Sequence, residues 1–418
     1  MSGENLRWRR ALAAGVLGVS GVFTGLLGCQ GIADIPDVSF SPVCKEYCDQ
    51  EFAVCTSTDA QYPDYPTCMQ VCGVLDGAAH GSTLDDSNTI ACRLGQLAAA
   101  EPRGGSDRTD FCAASGPGGG KTCAPQSLDA PDCEGYCTLY NRACDGNSNN
   151  PFNGAIGRDQ SGDLGACIEK CHAIRPATHA AKGDALPVPG YDFRAGALSG
   201  DTLGCRLYYA SLAVADPSYC DTAGIRPSGP CLGSAVPDCS DYCLALGVAC
   251  KDNLKVFESN PQCEAVCNAT RHGIKQTVDE VDTIGCRTAH EFNALLIDPD
   301  THCPHISPLG AGVCGNSPTG VKGGNCEAFC YLASQACPDE YMAEYTDDSD
   351  CQAKCADFEG ADGNFNVSDA NQGGDNLQCR TLNVSRALHA KVDAKAKPPL
   401  AEACPAVFGR GMCVDKDK

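Results

Sequence analysis

The most specific chemistry in the chain is offered by three histidines: His290 lies four residues after Cys286, and His302 and His305 bracket Cys303. One cross-link between these stretches would gather three neutral imidazoles, a set suited to zinc or copper, with Asp298 or Asp300 as an extra ligand or acceptor. The competing expectation is ordinary exposed histidines, because the positions matching His290 elsewhere in the chain are Gln96, Tyr209 and Asn383. The sequence contains no P-loop, no G-x-S-x-G, no H-E-x-x-H and no C-x-x-C-H. Cys167 to His172 looks like a wide-spaced haem attachment site, but the same cysteine pair recurs three times without a histidine, which favours a disulfide role. Asp347, Asp348 and Asp350 lack the alternating ligand spacing of a calcium loop and suit a helix cap before Cys351. No catalytic trio can be assembled, so a non-enzymatic protein is expected.

The elements that must hold these residues are defined by cysteine. The chain has 33 cysteines in 418 residues, far more than a reducing cytosol would keep as thiols, so an oxidising compartment is expected. Four sets of eight share the pattern C-x3-C-x6-C, a gap, C-x3-C, a second gap, C-R, then two more cysteines. They are Cys44, Cys48, Cys55, Cys68, Cys72, Cys92, Cys112, Cys123; then Cys133, Cys137, Cys144, Cys167, Cys171, Cys205, Cys220, Cys231. The third and fourth are Cys239, Cys243, Cys250, Cys263, Cys267, Cys286, Cys303, Cys314; and Cys326, Cys330, Cys337, Cys351, Cys355, Cys379, Cys404, Cys413.

At about 100° per residue, offsets of 0, 4 and 11 fall on one narrow helix face, whereas a strand would scatter them. Asp132, Asp238 and Asn325 stand just before three of the first cysteines as N-cap acceptors. The second C-x3-C predicts another helix, and the segments beginning at Asn88, Asp201, Asp282 and Asp375 predict a third, entered through a polar cap before Cys-Arg. The predicted fold is mainly α and disulfide-rich: four tandem small repeats, each of about three helices plus an irregular C-terminal flap. Eight cysteines permit 105 pairings; an antiparallel hairpin makes bonds from the first helix to the second the favoured ones. Tyr47, Tyr136, Tyr242 and Phe329 precede the second cysteine and read as core. Arg93, Arg206, Arg287 and Arg380 follow the sixth and are expected to pair with Glu46, Glu134, Asp241 or Glu327 of the first helix, in preference to clamping a ligand. The insertions from Asp145 to Ala166 and from Ala173 to Gly204 are either contact surface or tolerated ornament.

At the amino end, Arg7, Arg9 and Arg10 precede an apolar run from Ala11 to Leu27, shorter than a bilayer span. The ending Leu26-Leu27-Gly28-Cys29 resembles the lipobox of bacterial lipoproteins. That resemblance implies cleavage before Cys29, acylation of Cys29, and attachment to a membrane by acyl chains with no helical anchor. Gln30, where an inner-membrane protein would carry aspartate, points by the same resemblance to the outer membrane or cell surface. A plain secretory signal is the alternative, but it orphans one thiol, whereas removing Cys29 from the count leaves the four sets complete. Loss of Glu4 and the three arginines takes the net charge from -22 to -24, which excludes nucleic acid as a partner.

The resulting organisation is a leader over 1–28, a tether over 29–40 and cysteine-rich repeats over 41–124, 130–232, 236–315 and 323–414. The expected role is a lipid-anchored envelope or surface protein that is structural or binds an unknown protein or surface ligand. The alternative is an extracytoplasmic metal-binding protein using His290, His302 and His305.

Overall fold

The cysteine spacing produces helices, and the helices are then locked by the cysteines. The computed structural model describes residues 41–75, 88–120, 122–124, 132–144, 160–174, 199–276, 282–315 and 324–414, and no β-strand occurs among them. The leader, Cys29, the tether and most of the two long insertions lie outside the described residues. The first cysteine set is carried by α1 (Pro42–Val54), α2 (Tyr65–Leu75), α3 (Ile90–Ala100) and α4 (Ser106–Ser115). The second has α5 (Cys133–Ala143), α6 (Gln160–Cys171), α7 (Leu203–Ala213) and α8 (Cys220–Ala223), and the third α9 (Cys239–Ala249), α10 (Asn260–Ala269), α11 (Ile284–Leu296) and α12 (Pro299–Ile306). The fourth has α13 (Gly324–Ala336), an extra α14 (Pro338–Glu344), α15 (Asp348–Cys355), an extra α16 (Val367–Ala370), α17 (Leu377–Val392) and α18 (Leu400–Val407).

Three helices per set match the expectation, but the flap is less irregular than expected. It contains a short helix around the seventh cysteine, started in the third set by Asp298, which accepts from Asp300 N, with Pro299 at the first helical position.

The pairing is the same in every set: first to fifth, second to fourth, third to seventh, sixth to eighth. Two bonds zip the first helix to the second, as the hairpin geometry favoured. The third ties the end of the first helix to the short fourth helix, and the last ties the third helix to the end of the flap.

Two side chains organise what the sulfurs leave open. Tyr47 Oη donates to Ser115 O at 2.6 Å, Tyr136 Oη to Ala223 O at 2.7 Å and Tyr242 Oη to Ile306 O at 2.9 Å, in each case the carbonyl three residues past the seventh cysteine. The arginine after the sixth cysteine takes the next two carbonyls. Arg93 reaches Gly116 O and Pro117 O, Arg206 reaches Gly224 O and Ile225 O, and Arg287 reaches Ser307 O and Pro308 O. A buried guanidinium thus satisfies the orphan carbonyls where the short helix ends. Phe329 has no hydroxyl, and in that set Arg380 takes Val407 O instead, at 3.4 Å.

The expected partners of these arginines were therefore misplaced. Each pairs with the residue five positions before it, at the entrance to its own helix: Arg93 with Asn88 at 2.9 Å, Arg206 with Asp201 at 2.6 Å, Arg287 with Asp282 at 2.8 Å and Arg380 with Asp375 at 2.5 Å. The chain just before the helix turns back beside its second turn. Glu134 does feel Arg93, but that arginine belongs to the preceding set.

The third-helix caps form as read from the sequence: Thr89, Thr202, Thr283 and Asn376 accept from Cys92 N, Cys205 N, Cys286 N and Cys379 N. Of the three proposed first-helix caps only Asp238 works, accepting from Ser240 N and Asp241 N. Asp132 sits at φ 73° and turns its carboxylate to Gly120 N, while Asn325 lies inside α13 and donates to Ala361 O and Gly363 O.

Successive sets pack on one another through named contacts. At Gly135 of α5 a Cβ would fall 2.3 Å from Gly118 O, so only glycine lets the first flap lie on that helix. Lys275 reaches back to Asp201 and to Leu232 O, and Arg386 of α17 grips Glu258 with two bonds of 2.9 and 2.6 Å.

Candidate metal centre

The third helix and the short fourth helix of the third set bring three imidazoles together. His290 follows Cys286 by one helical turn on α11, so its ring lies beside the Cys286–Cys314 disulfide. His302 and His305 are three apart on α12 and share one side of it. α12 is pinned to the end of α9 by Cys250–Cys303, and the two-residue turn at Ile297 and Asp298 folds it against α11. No disulfide joins the two stretches: Cys286 pairs with Cys314 and Cys303 with Cys250, and it is the tight turn between α11 and α12 that gathers the histidines where one cross-link was expected to.

His290 Nδ1 stands 3.0 Å from His302 Nδ1 and 3.2 Å from His305 Nδ1. The ring centroids are 5.2, 4.7 and 5.7 Å apart, and one nitrogen from each ring lies within 4.8 Å of the other two. His290 is buried, while His302 and His305 are half-buried and open the group toward solvent on one side. Burial, together with the neighbouring His305 and His302 rings, pushes His290 down to about 4, and burial lowers His305 as well. His290 is thus uncharged at neutral pH, with its lone pair available. His290 Nε2 is buried without a hydrogen-bond partner.

Asp298, proposed as a further ligand, spends its carboxylate on Asp300 N and Thr301 Oγ1 and caps α12. Neither Asp298 nor Asp300 is among the side chains grouped with the three histidines. The nearby sulfurs of Cys286 and Cys314 are bonded to each other and cannot act as thiolate ligands, and the same holds for Cys337 and Cys404 beside Glu340. Two metal-like readings fall away: Cys167 and Cys171 are tied to Cys137 and Cys133, and Asp347 caps α15 by accepting from Asp350 N.

Residues 238–317 match the BfoA family C-terminal domain. The match starts at the N-cap of α9, ends just beyond Cys314 and contains all three histidines, so it covers one of the four cysteine sets. No curated protein and no solved structure matches the chain.

One charged group at a set boundary has no sequence pattern to announce it. Asp201, Arg206, Asp241, Lys275 and Glu291 line a cavity of about 30 Å³ between the second and third sets. Burial, reinforced by Asp201, holds the Glu291 carboxyl well above its ordinary range. Glu291 follows His290 on α11, in a stretch whose residues are nearly all buried, and only tertiary packing gives it charged neighbours.

Proposed function

We propose that the chain is a non-catalytic array of disulfide-stapled helical units, exported from the cytoplasm and held at the envelope or cell surface by acyl chains on Cys29, with a structural or partner-binding role. The observation that carries this is the pairing itself: all 32 cysteines after Cys29 fall into one bond scheme repeated four times, with no thiol left over. Such a chain matures only where disulfides persist. Two or more acyl chains supply durable attachment without a membrane-spanning helix, at about 0.8 kcal/mol per buried methylene. No described helix is long and apolar enough to cross a membrane.

Two measurements test the proposal. Denatured, unreduced protein from its native source should show no reactive sulfhydryl; several free thiols per chain would overturn the compartment. A clickable fatty acid should label the wild-type chain and not Cys29→Ala, with the variant shed from the membrane fraction. Equal labelling of both would overturn the anchor.

A further inference from the structure

We infer that His290, His302 and His305 form a binding site for one zinc-class transition-metal ion, with three imidazole ligands and a fourth position open to solvent. An imidazole nitrogen carries either a proton or an in-plane lone pair, never both. His290 Nδ1 lies at hydrogen-bond distance from two other Nδ1 atoms at once, 3.0 and 3.2 Å, and in a neutral cluster a hydrogen bond can satisfy only one of those contacts. The other contact is then left without a well-aligned partner, because the single N–H or lone pair of His290 Nδ1 points in one direction only. A cation among the three nitrogens removes the conflict by accepting all three lone pairs. Tetrahedral zinc with Zn–N of about 2.0–2.1 Å places its ligand nitrogens roughly 3.3 Å apart, close to the two separations found.

The ligand type narrows the ion. The grouped atoms are nitrogens, with no carboxylate oxygen among them, which disfavours calcium and magnesium and suits zinc or copper. Three protein ligands and an open side, where His302 and His305 are half-buried, describe a centre with an exchangeable water and not a closed structural knot. The ligands are held by bonds that do not depend on the metal: Cys286–Cys314 beside His290, and Cys250–Cys303 inside the His302 to His305 turn. The fold therefore keeps its shape when one ligand is changed, and that makes the site testable. In the fourth set the position of His290 is Asn383, whose amide donates to Cys379 O at 2.9 Å and lies 3.2 Å from Cys413 Sγ. An uncharged hydrogen-bonding side chain is all that this corner of the fold demands, so histidine there exceeds the structural need.

The test uses the full oxidised chain, dialysed against zinc(II) and analysed for bound metal, beside His302→Gln and His305→Gln. Circular dichroism and intact mass should show both variants folded with sixteen disulfides. Wild type should bind one equivalent of zinc, and each variant should bind at least tenfold more weakly, since even removal of an outer-shell partner costs about 10–100-fold. Cobalt(II) should give the intense visible bands of a tetrahedral site in wild type only. No saturable zinc uptake by the wild-type chain, or uptake unchanged in folded His305→Gln, would overturn the inference.

Discussion

The hydroxyl of Tyr242 donates to the carbonyl oxygen of Ile306 across 64 residues, joining the first helix of the third set to the end of the short fourth helix. Cys250–Cys303 ties the same two helices, one turn away on α12 and about two turns away along α9, so a covalent and a hydrogen bond share one seam. Tyr242→Phe leaves the carbonyl without this donor in a buried place, at a cost of about 1–3 kcal/mol. Hydrogen exchange should show faster opening of α12 amides in the variant, with α1 and α5 unchanged. Equal exchange in α12 would show the bond to be incidental.

Arg206 is a stronger case. It is almost fully buried and holds Asp201 together with Gly224 O and Ile225 O. Lysine has the charge but not the planar fork, so Arg206→Lys cannot serve Asp201 and both carbonyls at once and strands at least one carbonyl. A buried carbonyl left without its donor costs about 1–3 kcal/mol. Mass mapping after oxidative refolding should show lowered yield of the Cys205–Cys231 bond, which closes the same corner.

Glu51 sets a pH dependence. Burial pushes its carboxyl up to about 8 from an ordinary 4.5, against the opposing pulls of the Ser115 hydroxyl and Arg93. Between those values the unfolded chain has released its proton and the folded chain has not, so this group's contribution falls as pH rises from about 4.5 to 8 and is flat above. The span corresponds to a few kcal/mol. Glu51→Gln keeps an acceptor for Ser115 Oγ and should remove the decline, so urea midpoints at pH 5 and 8 should converge for the first set. Wild type and variant with parallel pH profiles would refute the assignment.

The disulfides are not of equal weight. Cys243–Cys263 lies inside the loop already closed by Cys239–Cys267, whereas Cys250–Cys303 closes a loop of 53 residues that starts within that one and runs well beyond it. By chain entropy the longer closure is worth about 4 kcal/mol, and the nested one much less while its neighbour stands. Cys250→Ala/Cys303→Ala should therefore lower the melting temperature of the third set more than Cys243→Ala/Cys263→Ala.

Much of this architecture is legible in the chain because cysteine spacing is a helical ruler. The offsets of Cys44, Cys48 and Cys55 place them on one helix face, and the polar residue before Leu-Gly-Cys-Arg marks the third-helix cap at Thr202. The three histidines were readable for the same reason, as each stands within four residues of a cysteine. Residues whose partners come from turned-back chain are not readable. Arg206 meets Asp201 because the helix entrance bends beside it, and nothing in the spacing favours that carboxylate over Glu134 or Asp241. Asp132 fails as a cap because the preceding flap offers it Gly120 N, a contact between sets that one set's pattern does not contain.

The bond scheme also decides how a unit responds to a pull on its ends. In the first set, tension passes from Cys44 across to Cys72, along the backbone to Cys92, then across to Cys123; a parallel route crosses from Cys55 to Cys112. Either way only about twenty residues of main chain can pay out, roughly 70 Å, where an uncrosslinked unit of about eighty residues would yield nearly 300 Å. Four such units in series form a strap of limited extension: load softens it, but its length is capped by sulfur.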